Sequence, residues 1–417
     1  MRLLIVQYGG DYREAVKRFA AGGEETYYGQ KYSVDAVANV GKKADEVATL
    51  CCLTEHPYNE RLENGVRAIG TGFTQKIQAQ KLVGLAKQFQ PTHLILRTPN
   101  TAIIRWAIQS QLKILLMLAD SFNSKRLRDK IRYYQLAKLL NSSQIDWIGN
   151  HGVTAGLSLA NIGVNPNKII PWDWPYEMTP HAFTTKNLQL HQETYEIFYV
   201  GLVIESKGIG DVIKAVAQLK TQGLSVRLKI AGKGDIERFK NQARDLKIEN
   251  SVEFLGLVPN KMIVPLMREA DLVVVPSRHE YAEGFPKSIN EALYSRTPIV
   301  ASDHPMFLKK LKNRDNALIF KANDPVSLAE CVKELLSDPA LYHSLSSSSY
   351  ETLKSLQIPV KWAQLMNNWL LDSPEHKQWL FEHRLSSGQY RECPNLDNSG
   401  LYTTGIIPKL IQRTLSL

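Results

Sequence analysis

The chain has 417 residues, 44% hydrophobic and 22% charged, the balance of a globular protein with room for two ordinary domains rather than a disordered or fibrous one. Its net charge of +10 asks for an anionic partner: nucleic acid, a membrane surface or an anionic substrate. Cys51, Cys52, Cys331 and Cys393 show no zinc or redox spacing, the apolar start is too short for a signal peptide, and no run of about 18 apolar residues predicts a membrane span, so a cytoplasmic protein with reduced thiols is expected.

Arg2 to Tyr8 reads as a first buried strand, with Gly9 and Gly10 as its turn. Gly22, Gly23, Glu24 and Glu25 open a predicted helix from about Glu24 to Val40. Strands at Glu46 to Leu53, His93 to Arg97 and Lys113 to Ala119, with a helix at Gln75 to Gln88, predict a separate α/β domain. Asp120 and Ser121 stand at the carboxyl end of the last of these strands, where Asp120 would face an interdomain cleft or cap the next helix.

That helix, Ser124 to Leu140, carries Lys125, Arg126, Arg128, Lys130, Arg132 and Lys138 against Asp129 alone. Leu127, Ile131, Tyr134, Leu139 and Leu140 recur at helical spacing. Two readings stand. The stripe is domain core beneath a solvated basic face, or the helix lies on an anionic bilayer, where each basic residue contributes about 1 kcal/mol. Asp146 to Asn150 is a short strand end, Asn161 to Pro175 is rich in proline and aromatic residues, and the polar stretch Thr179 to Gln192 predicts the linker.

A second domain opens with a strand from Glu196, closed by Gly201, and a loop leading to Lys207 and Gly208. Ile209, Val212, Ile213, Val216 and Leu219 follow at helical spacing, and Ser225 to Ala231 is the next strand, ending in a loop with Gly232 and Gly234. Asp271 to Val275 is a Val-rich strand ended by Pro276 and Ser277. Pro286 is expected in the first turn of a helix through about Ser295, where its missing N–H costs nothing, and Pro298 to Ala301 is another strand. Strand, loop, helix and strand make one unit of a parallel sheet, and ligands sit at the carboxyl ends of such strands, where Ser277 to Phe285 must lie. Asp324 is expected to cap a late helix, and a terminal helix is expected from Pro374.

That loop carries Glu283, and the helix carries Glu291, with seven residues between them. Both can face one ligand in different roles, Gly284 keeps the backbone open between them, and the helix N-terminus offers N–H groups to a phosphate. Carboxylates accept hydrogen bonds from paired hydroxyls, so a polyhydroxylated nucleotide donor fits. Taken alone, two glutamates at this spacing favour the plainer reading of solvated charges at a helix start.

In its EGFP context the stretch Glu283-GFPKSIN-Glu291 resembles the EX7E signature of the family 4 retaining glycosyltransferases, and the resemblance extends over about Glu196 to Leu353. It implies an α/β protein of the GT-B fold, two Rossmann-like domains facing each other across a cleft. Residues 1–180 would form the acceptor-side domain, 181–375 the nucleotide-sugar domain, and 376–417 a segment crossing back to the first. It implies that Glu283 contacts the donor sugar and Glu291 the nucleotide ribose, with Gly284, Phe285 and Pro286 in the donor-binding turn. Lys207 matches the lysine of a GRL...KG element that neutralises the donor diphosphate, and Gly201 lies in the same element. Leu202 takes the place of that element's arginine, so that either Lys207 suffices, or another cation such as Arg278 or Lys287 substitutes, or activity is poor. Gly232 and Gly234 would allow close approach to the nucleotide, and Gly23 would approach the donor phosphate or serve a plain turn. Asp120 would lie beside the reacting sugar and the acceptor. His304, Pro305 and Met306 stand where the family usually has glycines and a glutamate.

The activity so implied is transfer of a glycosyl group from a nucleotide-diphosphate sugar to a glycan or lipid-linked acceptor, with retention and with neither metal nor other cofactor. An anionic membrane surface through residues 124–140 is the further partner, with peripheral attachment to the cytoplasmic face of the membrane, and no nucleic acid is expected. The alternative is a nucleotide-sugar-binding protein that has lost catalysis, as Leu202 and His304 would fit. A dinucleotide oxidoreductase is disfavoured, because no strand is followed by GxGxxG with an acidic residue about 20 positions on.

Overall fold

The computed structural model describes residues 1–122, 127–175 and 180–390. Lys125, Arg126 and the stretch 391–417 fall outside the described residues. Eight strands make the first sheet: β1 (Arg2–Gln7), β2 (Glu46–Cys51), β3 (Pro57–Arg61), β4 (Arg67–Thr71), β5 (His93–Leu96), β6 (Lys113–Leu118), β7 (Ile145–His151) and β8 (Ile169–Trp172). Their order is β3-β4-β2-β1-β5-β6-β7-β8, parallel throughout except for the antiparallel pair β3 and β4. The second sheet is wholly parallel: β9 (Tyr195–Val200), β10 (Val226–Ala231), β11 (Val252–Gly256), β12 (Leu272–Val275), β13 (Ile299–Ser302) and β14 (Leu318–Phe320), in the order β11-β10-β9-β12-β13-β14.

Near-continuous apolar strands are what a sheet covered on both faces needs, and side-chain alternation sends successive residues to opposite layers. Leu4 and Val6 enter one core while Leu3 and Ile5 enter another; on β12, Leu272 and Val274 part from Val273 and Val275 in the same way. Strand order reverses beside β1 in the first sheet and beside β9 in the second. The crevices at β1/β5 and β9/β12 are therefore the topological switch points where ligands bind in such sheets.

Several elements differ from the sequence expectation. The helix expected from Glu24 begins at Gln30, because Gly29 takes a left-handed φ of 76° and ends a loop there. Pro286 is the N-cap of the helix Lys287–Ser295, one position ahead of its first turn. In the helix Leu127–Leu140 the apolar stripe is divided. Leu136, Ala137 and Leu140 are buried, whereas Leu127, Ile131 and Tyr134 are 73%, 44% and 51% exposed, so these three are not core.

The chain returns to the first domain near Ile358, ahead of the expected 376. Lys361 bridges Asp173 backbone to backbone, and the helix Trp362–Leu371 packs Trp362, Leu365, Met366 and Trp369 into the core of Leu3, Ile5 and Met117. Full burial of a side chain such as Leu365 contributes roughly 1.5–3 kcal/mol to holding this helix on the first sheet.

Candidate active site

The loops after β9 and β12 pack backbone against backbone. A Cβ at Gly208 would lie 2.1 Å from the Pro276 carbonyl oxygen, and the Arg278 amide donates to the Ser206 carbonyl at 2.9 Å. This approach delivers Lys207 to the β12 loop. Its Nζ pairs with Glu283 Oε1 and stands 4.2 Å above the Tyr281 ring, while Ser277 Oγ donates to the same carboxylate oxygen at 2.6 Å. Glu283 is only 6% exposed, so its charge is held by this ammonium and hydroxyl in place of water. The negative field acts on nearby phenols: Tyr199 is raised by burial and then by Glu283, and Tyr281 is pushed up to about 12 by burial, then by Glu283 and Asp120.

Asp120 follows β6 in the first domain, well ahead of Leu127, and so does not cap that helix. Its carbonyl accepts from Asn150 Nδ2 at 3.0 Å, and burial raises its carboxyl to about 6. Asp120 and Glu283 come from different domains yet both bear on the Tyr281 phenol. Gly284 packs against the first domain, where a Cβ would meet the Ala119 carbonyl oxygen at 2.9 Å and His151 Nδ1 at 3.5 Å. Phe285 packs partly buried against the second core.

Glu291 lies elsewhere on the same cleft. Its Oε1 accepts from Asn260 Nδ2 at 2.8 Å, and burial raises its carboxyl while Asn260 and Lys287 pull it back. Lys287 Nζ donates to the Tyr28 carbonyl, lies 4.2 Å over the Trp174 ring, and is brought down to about 7 by burial. The Asn260 amide donates to the Glu25 carbonyl at 2.9 Å, and Lys261 pairs with Glu24 at 2.8 Å, so the loop after Gly23 touches the second domain.

The glycines have local reasons of their own. A Cβ at Gly232 would fall 1.8 Å from the Gly201 carbonyl oxygen, and one at Gly234 2.3 Å from that of Val203, so these loops need glycine to pack on each other. Gly23 closes the turn after the helix Tyr12–Ala20, its amide donating to the Arg18 carbonyl at 2.8 Å.

No cation stands at Leu202, which is 41% exposed and whose carbonyl accepts from Tyr199 Oη at 2.7 Å. Arg278 does not fill the gap. Asp211 holds it bidentately at 2.7 Å and Glu205 pairs with it at 2.5 Å. His304 has a clear part, its Nε2 lying 3.1 Å from the Tyr281 carbonyl and its Nδ1 accepting from the Met306 amide at 3.2 Å. It braces the turn two residues before Glu283, and burial lowers its pKa.

Sequence reasoning missed Ser277 as a partner of Glu283, Asn260, and the buried pair His151 Nε2 to Asp173 Oδ1 at 3.2 Å. Ser277 and His151 carry one available signal, their place at the carboxyl end of a predicted strand. Among the described residues no group of three or more His, Cys, Asp and Glu could hold a metal, and no helix is long and apolar enough to cross a membrane.

Residues 182–352 match the family described as Glycosyl transferases group 1. The amylovoran biosynthesis glycosyltransferase of Erwinia amylovora is 28% identical over 160 residues, 37% of this chain and 39% of that protein. Matches of this kind span less than half the length of the curated relatives. The fold is that of the Anabaena protein HepE in complex with UDP-glucose, at TM-score 0.60 and 15% identity, over 85% of this chain and 95% of that one. Sucrose-phosphate synthase of Thermosynechococcus elongatus matches at TM-score 0.61 and 16% identity, over 91% and 99%. The chain thus has the GT-B fold, and residues 182–352, most of its second domain, match the group 1 glycosyltransferase family.

Proposed function

We propose that the protein transfers a hexosyl group from a nucleotide-diphosphate sugar to a hydroxyl of a glycan or lipid-linked acceptor, with retention and without a metal. The observation that carries this reading is the buried constellation of Lys207, Glu283 and Ser277 at the β9/β12 switch point, with Asp120 facing it from the first domain. Glu283 would accept hydrogen bonds from the donor sugar. Lys207 would turn from Glu283 toward the departing diphosphate, stabilising the charge that develops there. Glu291 would hold the ribose hydroxyls, its acceptor capacity already aimed by Asn260. Asp120 would stand at the acceptor hydroxyl. The leaving phosphate, on the same face as the incoming hydroxyl, would take its proton, so that the new bond forms on the side from which the old one leaves.

Incubation with a panel of nucleotide-sugars and candidate acceptors should release free nucleotide, and the anomeric configuration of the product, read by NMR, should match the donor's. Turnover should be unchanged after EDTA treatment, and an inverted product would end the retaining part of the reading. Binding without nucleotide release would favour a protein that has lost catalysis.

Attachment to an anionic membrane surface, cytoplasmic in this reading, is the second part of the proposal. It is favoured by the exposed Leu127, Ile131 and Tyr134 beside Arg128, Lys130 and Arg132, an apolar stripe with a basic flank. Co-sedimentation with phosphatidylglycerol vesicles should fall as salt rises and be lost in Ile131→Glu. Equal pelleting with neutral vesicles would remove it.

A further inference from the structure

The first sheet has a switch point of its own, at β1/β5, and a cation stands there. Arg97 follows β5, its amide donating to the Val6 carbonyl at 2.9 Å, and Gln7 ends β1 beside it. The side chain is partly buried, with Nη1 3.4 Å from Gln7 Oε1 and Cζ 5.4 Å from the centre of the Trp362 ring. Among the described residues no carboxylate pairs with it, whereas Arg278 is taken up by Asp211 and Glu205. Burial lowers its pKa, as expected of a charge held from water without a counter-ion.

A hollow of about 20 Å³ opens at this point, and its lining includes Arg97, Gln7, Gly10, Asp11, Tyr27 and Thr49. Thr49 is fully buried, and its Oγ1 has no hydrogen-bond partner among the described residues. A strong donor and an orphaned hydroxyl thus line one space that admits a single oxygen atom rather than a sugar ring. Asp11 is the single carboxylate of the lining, and it is engaged by Tyr58 Oη at 2.6 Å and by the Glu14 amide at 3.2 Å. At the rim a Cβ on Gly10 would meet nothing within 4 Å, and Tyr27 is half-exposed, with Lys287 Nζ of the second domain 4.9 Å from its ring. We propose that Arg97 and Thr49 seat one oxygen of an acid group, carboxylate or phosphate, carried by the acceptor, and that Arg97 makes the protein selective for acidic acceptors. A guanidinium suits that group because its planar donors match an oxyanion.

The acceptor's part in this rests on the proposed transferase reaction, and the anion site does not, so the two are tested separately. Thermal unfolding of the full chain is followed with glucuronate, inorganic phosphate and glucose at matched ionic strength, because a bound ligand raises the melting temperature by mass action. Both anions should give a saturable rise and glucose none. Arg97→Gln should weaken anion binding by about tenfold or more, as loss of a charge-assisted contact does, and Thr49→Val by roughly a few fold. Ligand-free Arg97→Gln should melt no lower than wild type, since a desolvated charge is removed with the guanidinium. With a nucleotide-sugar present, methyl glucuronide should stimulate nucleotide release at lower concentration than methyl glucoside, a preference lost in Arg97→Gln. No saturable rise in the wild type would overturn the proposal, and so would a rise unchanged in both variants. A rise lost only in Lys207→Ala/Glu283→Gln would place the anion in the donor site, and a marked fall in the melting temperature of ligand-free Arg97→Gln would give the guanidinium a structural task; either result overturns it. Equal stimulation by the two glycosides would remove the selectivity. Anion binding without nucleotide release from any donor would keep the anion site and end the transferase reading instead.

Discussion

The two glutamates of one nine-residue stretch sit in opposite electrostatic regimes. Glu283 is an ion-paired carboxylate, held by Lys207 and Ser277 from its own domain. Glu291 has a neutral hydrogen-bond partner in Asn260, and its nearest cation, Lys287, is itself turned to a carbonyl and an aromatic face supplied by the first domain. Burial pushes Glu291 up and Lys287 down, each toward its uncharged form. The difference teaches that equal spacing from a helix start does not confer equal chemistry. The first site keeps full charges beside the place proposed for the reacting bond. The second is a weakly charged surface that spans the domain boundary, at the place proposed for the ribose.

The sharpest way to break this contrast is to remove the ammonium at the first site. Lys207→Ala should cut transfer by roughly 100- to 1,000-fold, the scale seen when one electrostatic donor to a developing charge is lost. It should also destabilise the fold by about 3 kcal/mol, because Glu283 would be left buried without its counter-ion. Adding Glu283→Gln should restore much of that stability and none of the activity. Urea unfolding and nucleotide release read the two effects separately, and a Lys207→Ala enzyme within a few fold of wild type would end the assignment.

Next in size is Glu291→Gln, expected to raise the donor KM about tenfold with little change in kcat, as befits loss of one hydrogen-bonded acceptor to the ribose. Its folded carboxyl is raised, so the native state holds its proton more tightly than the unfolded one, and the wild type loses stability as pH climbs above the ordinary carboxylate range. The glutamine variant escapes that loss. It should equal or exceed wild-type stability at neutral pH, the reverse of Lys207→Ala.

Much of this was legible before the structure, because parallel strands buried on both faces write themselves as unbroken apolar runs, as β6 and β12 do, and because Glu283, Gly284 and Pro286 fall together in one short stretch. What was not legible depended on contacts far apart in the chain. Nothing local tells that Arg278 will be consumed by Asp211 and Glu205, or that Gly232 is glycine because the Gly201 carbonyl lies against it. The hairpin of β3 and β4 was missed because its outer strand alternates exposed with half-buried residues and has no apolar run. The early return at Ile358 was missed for a similar reason: Trp362, Leu365, Met366 and Trp369 announce a buried face but not which sheet buries it.

A smaller effect tests the first-domain wall opposite Glu283. Asp120 carries a folded pKa raised to about 6 by burial, so native protein retains a proton that the unfolded chain releases near pH 4. Stability should decline as pH rises through that window. Asp120→Asn should remove the decline and gain roughly 1–2 kcal/mol at pH 7 after allowance for solvent screening, while transfer falls. A variant that is no more stable than wild type above pH 6 would mean that the carboxyl is not held in a desolvated place.

The smallest expected change in turnover belongs to Lys287, and the sign of its effect on stability separates the two sites most cleanly. Its amine is lowered to about 7 in the folded chain, against an ordinary value near 10.5, so between those limits the unfolded state binds the extra proton. Wild-type stability should therefore rise as pH goes from 7 toward 10, by on the order of 1–2 kcal/mol once the accessible part of the side chain is discounted. Lys287→Met keeps an apolar stem against Trp174 but has no titrating group, so its stability should stay flat over the same range, with turnover within about threefold of wild type. Lys207 offers the control, since its ammonium is matched by a carboxylate and its removal should cost activity at every pH. If Lys287→Met abolished transfer, the second ammonium would belong to the chemistry, and the division between a charged reacting site and a weakly charged binding surface would fall.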